Sequence, residues 1–223
     1  MTRLTCIAAA LITGALWQAQ PSMHAAVITE PFDSYPGNAT DPGWTTAWSD
    51  PNATATVATS DPVNGGGSYL SVTHDSTGDS AIVRTLDPAV LNTQLTPYTI
   101  SWDIRFDTLG DFSAYSDRVH FTANTGGSAG SNDTASWLIG AVGGDNGGTD
   151  YFDGIWYFYD NSSTTTNGAF NTGSMVNTGM QLVEGDTYSF LVEVDPAAQT
   201  YSATITNLDT METEVDPGIR ARV

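Results

Sequence analysis

Apolar residues in this chain recur in short runs, and no long stretch carries helical spacing. Segments of six to ten residues are rich in Val, Ile, Thr and aromatics, and clusters of Gly, Asp, Asn, Thr and Ser separate them. That pattern predicts many short antiparallel strands. The segments are 27–35, 53–59, 68–74, 80–86, 98–107, 118–123, 136–142, 154–159, 186–195 and 200–207. In the fifth, Tyr98, Ile100, Trp102, Ile104 and Phe106 alternate with Thr99, Ser101, Asp103 and Arg105, so one face belongs to a core. Tyr188, Phe190, Val192 and Val194 alternate likewise. The segment 154–159 differs, because Ile155, Tyr157 and Tyr159 oppose Trp156 and Phe158. With aromatics on both faces it is expected to be a central strand or to line a binding surface.

The N-terminus breaks this pattern. Arg3 precedes an apolar or small-residue run from Leu4 to Trp17, and small residues return at Ala25 and Ala26. That is the order of an export signal, expected over 1–25. The run is short for a membrane span, and no later segment reaches the apolar length a span needs. The expected product is therefore secreted or held at the cell surface, with no membrane segment once the signal is removed. Residues 26–223 suit one all-β domain. The single cysteine, Cys6, lies in the signal, so packing and any bound metal must supply the stability. The chain carries 25 acidic residues, six arginines and no lysine, for a net charge of −19. Such a surface repels nucleic acid and anionic membranes.

Several segments resemble a known superfamily. Glu30-Pro31-Phe32-Asp33-Ser34-Tyr35 followed by Gly43-Trp44 resembles the first strand of concanavalin A-like lectin/glucanase domains, in their laminin-G-like branch. Tyr98 to Phe106 resembles a later strand of the same domains, and Glu184 to Pro196 with Thr200 to Ile205 resembles their late hairpin. The resemblance implies an antiparallel jelly-roll β-sandwich whose concave sheet and rim loops meet glycans. It also implies one or two strands after that hairpin, the last beside the first strand. The residues from 212 onward do not continue the pattern, so the chain is expected either to lack its last strand or to improvise one from 212–223. An unpaired edge near Phe32 to Tyr35 would then recruit other chains.

The chemistry legible in the sequence is sparse. Glycoside hydrolysis needs two carboxyl groups flanking one bond. Glu184 with Asp186, Glu193 with Asp195, and Glu212 with Glu214 are the close pairs, and none extends into the strand-borne acidic motif of the glucanases. Asp195 precedes Pro196 and reads as a turn opener. His74 and His120 lack metal spacing, and no Gly-x-Ser-x-Gly elbow occurs. The chain is accordingly expected not to be an enzyme. Calcium is the cofactor the composition favours, since it takes six to eight oxygens from carboxylates and carbonyls on a turning backbone. Asp145, Asp150 and Asp153, in and after the Gly-rich run 143–150, are the candidate ligands. Aromatics supply the candidate sugar site, because sugar rings stack on Trp and Tyr. Trp137, Trp156, Tyr157 and Tyr159 flank that run, with Asn146 as a polar partner. The leading expectation is a non-catalytic carbohydrate-binding or adhesion module with polysaccharide as partner. A structural surface protein without a discrete ligand is the alternative, and a polysaccharide hydrolase or lyase comes third. Buried aromatics would favour the structural reading.

Overall fold

The computed structural model describes residues 44–47, 53–63, 65–74, 81–84, 96–114, 117–124, 135–144, 153–160 and 175–220. The expected export signal and the expected strand at 27–35 lie outside them. The described residues contain twelve strands and no helix. No helix among them is long and apolar enough to cross a membrane. The strands are β1 (Trp44–Ala47), β2 (Ala53–Thr59), β3 (Ser68–His74), β4 (Ala81–Arg84), β5 (Tyr98–Arg105) and β6 (Arg118–Asn124). They continue with β7 (Ala135–Val142), β8 (Ile155–Tyr159), β9 (Met175–Gln181), β10 (Thr187–Asp195), β11 (Thr200–Asn207) and β12 (Thr213–Arg220).

All strand pairs are antiparallel. Two four-stranded sheets carry the core, one in the order β12-β11-β10-β5 and the other β6-β7-β8-β9. Two further pairs, β1-β4 and β2-β3, complete the described strands. The protein is thus all-β, as its alternation predicts. Every strand expected within the described residues forms, and β8 lies inside its sheet, one of the two placements its aromatic faces suggest.

The alternating residues of β5, β10 and β11 meet those of β6, β7 and β8 face to face. In the first sheet, Phe190 sits opposite Trp102 on one side and Ile205 on the other. Trp102 stacks on Phe190 at 5.0 Å between centroids and on Trp137 of the facing sheet at 5.8 Å. Trp156 stands edge-on to Phe190 and Tyr188. Each such side chain contributes ~1.5–3 kcal/mol on leaving water, and offset aromatic pairs add about 0.5–1.5 kcal/mol. The Trp102 indole nitrogen, buried beside these rings, meets no acceptor among the described residues.

Three tyrosines of the first sheet tie it to the second through their hydroxyls. Tyr98 accepts a hydrogen bond from Trp137 Nε1 at 3.1 Å. Tyr188, on β10, accepts from the Val183 N–H and donates to the Gln181 carbonyl, both at 2.8 Å. Tyr201, on β11, reaches the gap between β7 and β8. Their ladder stops at Ile139 opposite Phe158. Beyond it, the Tyr201 hydroxyl donates to the Tyr159 carbonyl at 2.7 Å and accepts from the Tyr159 N–H at 3.1 Å, with the Leu138 carbonyl 3.2 Å away. The hydroxyl occupies the position of the next ladder bonds. Burial pushes the ionisation of Tyr98, Tyr188 and Tyr201 up, so the phenols stay protonated and able to donate.

Within 212–223, Thr213–Arg220 forms a strand, β12, beside β11. A bulge interrupts that pair. Tyr201 sits opposite Ile219 and Ala203 opposite Asp216, so β12 carries one extra residue where Pro217 and Gly218 fall. Proline has no N–H to offer, and a bulge twists the strand, which blunts β12 as a template for a further strand.

Replacing Tyr201 by Phe removes these hydroxyl bonds and leaves backbone groups of Leu138 and Tyr159 unpaired inside the protein. The expected cost is about 1–3 kcal/mol in denaturant unfolding. A change below about 0.5 kcal/mol would show that the hydroxyl is not a tie between sheets.

Candidate functional site

The candidate sugar-stacking residues are mostly interior. Trp137 is 3% exposed, and Trp156 and Tyr157 are fully buried. The two tryptophans face the opposite sheet within the aromatic core. Their ring faces are covered by protein, so they form no platform for a sugar. Tyr157 points from the other face of β8 into a second, smaller cluster with Leu138, Val142 and Met175. Tyr159 packs at the margin of that cluster and is half-buried. Asn146, the polar partner, lies outside the described residues. The four aromatics are therefore divided between two faces of one sheet.

Of the candidate calcium ligands, Asp145 and Asp150 lie outside the described residues. Asp153 is exposed, next to a single bridge between it and Val142. No group of three or more His, Cys, Asp or Glu side chains that could hold a metal gathers among the described residues. They supply no calcium cage by themselves.

Four of the acidic side chains in the close pairs brace loops or strands. Glu184 accepts from the Leu109 N–H at 2.9 Å, joining the β9–β10 connection to the β5–β6 connection. Asp186 accepts from the Asn207 side-chain amide at 2.7 Å. Asp195 accepts from the N–H groups of Ala197 and Ala198, both at 3.0 Å, and so opens the β10–β11 turn as its position before Pro196 implies. Glu193 accepts from Ser202 across the β10–β11 pair. Glu212 and Glu214 flank the start of β12.

One polar constellation does stand out, on the face of the second sheet turned away from the aromatic core. His120, Gly140 and Tyr157 lie side by side across β6, β7 and β8, and Asn177 of β9 follows Tyr157 in the same row. His120 and Tyr157 meet above Gly140, with Oη 2.6 Å from Nε2 and the rings edge to face. A Cβ on Gly140 would come within 2.6 Å of the His120 ring and 2.7 Å of the Tyr157 hydroxyl. Glycine is thus what lets the pair close. Burial, with a smaller contribution from the Arg118 charge, lowers the His120 ring to about 3. The imidazole is neutral near pH 7, and the hydroxyl it meets belongs to a fully buried tyrosine. A histidine–phenol pair has the groups for proton transfer, but a reacting molecule would need access to that hydroxyl, and the closed pair gives none.

In the sequence His120 shows only its lack of metal spacing, and Gly140 carries no signal of its own. The contact joins residues 37 positions apart and depends on the β6–β7–β8 register, for which no local motif exists. Neither a protein-family model, nor a curated protein, nor a solved structure matches the chain.

Replacing Gly140 by Ala forces His120 or Tyr157 to move, at an expected cost of about 1–3 kcal/mol. Combining it with His120→Ala opens the space, so the two changes should be clearly non-additive in unfolding free energy. Additive losses would mean that the pair does not close over Gly140.

Proposed function

We propose that the protein is a non-catalytic extracellular module, a β-sandwich of the concanavalin A-like kind, with a structural or adhesive role at a cell surface or in an extracellular matrix. One observation carries the reading: Trp137, Trp156 and Tyr157, the residues best suited to stack on a sugar, are consumed by packing. The use of Glu184, Asp186, Glu193 and Asp195 as loop and strand braces supports the non-catalytic part. The charge of −19 favours a partner that is neutral or cationic over nucleic acid or an anionic membrane. On this reading the protein acts through an exposed surface and not through an aromatic-lined cleft.

The test is incubation of the purified chain with a panel of soluble oligosaccharides and insoluble polysaccharides, following both binding and product release. The expected result is no new reducing ends, no unsaturated products and no tight oligosaccharide binding. Products would return the hydrolase or lyase reading. Tight binding of one oligosaccharide would return the carbohydrate-binding reading.

Calcium, on the same reading, is structural and bound near 143–153. It would then raise the melting temperature through mass action on the folded state alone. The expected outcome is a higher melting temperature in millimolar calcium than in chelator at equal ionic strength, lost in Asp145→Ala/Asp150→Ala. Equal melting temperatures in the parent chain would remove calcium from the account. Holding ionic strength constant separates binding from screening of an acidic surface.

A further inference from the structure

We propose that the open edge of β5 pairs antiparallel with β5 of a second copy of this chain, Trp102 opposite Trp102, so that two four-stranded sheets join into one continuous sheet. The pairing needs only the strand and its register, whichever function the sandwich serves.

β5 ends its sheet, with β10 on one side only. Thr99, Ile100 and Ser101 are exposed in succession, on both faces of the sheet, and Asp103 and Arg105 are exposed beyond them. Phe106, just past the strand, turns its N–H to Asp186 and its C=O to Gly185, on the β10 side. Hydrogen-bonded positions alternate along an antiparallel pair, so Tyr98, Ile100, Trp102 and Ile104 bond β10. Thr99, Ser101, Asp103 and Arg105 therefore aim their backbone N–H and C=O groups at the open edge. Among the described residues those four backbones meet no partner there.

The other ends of the two main sheets are irregular. β12 carries the Pro217-Gly218 bulge, and β6 shifts register between Ala123 and Asn124. β9 contains Gly179 at φ +83 and slips against β8. Bulges, proline and lysine are the devices that stop an edge from recruiting strands. β5 has none of them. It keeps one register with β10 along its whole length and contains no Pro, Gly or Lys.

A second β5 fits one register best. With Trp102 opposite Trp102, Thr99 meets Arg105 and Ser101 meets Asp103, each twice by symmetry. Ile100 meets Ile104, because the apolar residues of β5 are symmetric about Trp102. Ile100, 38% exposed, and the partly buried Trp102 and Ile104 gain cover. Centring the pair on Asp103 instead sets two carboxylates face to face. Centring it on Ser101 sets Arg105 against Pro97, which has no N–H to give. The two copies of Asp103 remain diagonal neighbours and each chain carries −19, so the pairing should tighten as salt rises. One strand per copy is small against the roughly 20–30 residues a side of a standard interface, which puts Kd on the order of micromolar.

The test is sedimentation velocity of the purified full chain across micromolar concentrations, at low and high salt, in the parent and in variants at Ser101. The parent should pass from monomer to dimer, and at lower concentration in high salt. Ser101→Pro removes an outward N–H that the β10 ladder does not use, so it should stay monomeric with an unchanged circular dichroism spectrum. Ser101→Asp sets like charges opposite each other and should raise Kd about two- to thirtyfold, and Ser101→Arg should lower it by a similar factor. Both are read at high salt, where net charge is screened. A parent that stays monomeric at both salts, a dimer that Ser101→Pro leaves intact, or equal Kd values for the Asp and Arg variants would overturn the pairing. Should Ser101→Pro fail to fold, the two charge variants decide, because Ser101 is exposed and they leave the backbone unchanged.

Discussion

A phenol hydroxyl cannot be left unpartnered between two apolar sheets. This constraint organises much of the described structure, because three core-facing positions of the first sheet are tyrosines. Tyr98, Tyr188 and Tyr201 each find their partner on or beside the second sheet. Apolar packing alone holds two sheets together without fixing how one sits on the other. Hydroxyl bonds to named backbone groups do fix it, since a small slide would strand a buried polar atom. Tyr201 does this most fully, because its oxygen stands where the β7–β8 ladder would otherwise continue.

The remaining polar groups follow from the same economy of partners. With 25 acidic residues and no lysine, the chain has few cations with which to neutralise its carboxylates. Several are instead satisfied by backbone N–H groups. Asp61 accepts from Val63 in the β2–β3 loop, Asp117 from Ser113 and Ala114, and Asp209 from Thr187. Where a cation is used, as between Arg105 and Asp107 at 2.9 Å, both side chains are exposed and the pair adds little. Among the described residues, these carboxylates hold turns and brace strands.

Strand identity was legible wherever side-chain alternation was unbroken, as in Tyr98 to Phe106 and Tyr188 to Val194. It failed where the backbone departs from regular pleating. In β9, Gly179 has φ +83 and the register with β8 slips by two residues around Thr178, so alternation is scrambled even though Met180 reaches the core. In β12 the Pro217-Gly218 bulge disguises a strand as a ragged end. β1 is only four residues long. The layer each aromatic occupies was hidden for a related reason. The sequence places Trp137, Trp156 and Tyr157 near one Gly-rich run, but strand parity sends the two tryptophans into one layer and Tyr157 into another. Parity within β8 was readable; which face lay under another sheet was not.

The central claim is that these aromatics are interior, and hydroxyl-radical footprinting of the native chain tests it most directly. Met211, 72% exposed in the β11–β12 turn, serves as the internal positive control. The account predicts rapid oxidation at Met211 and strong protection of Trp137, Trp156, Tyr157, Tyr188 and Tyr201, lost together on unfolding. Rapid modification of Trp156 or Tyr157 in the folded protein would contradict it and return those rings to a ligand-facing surface.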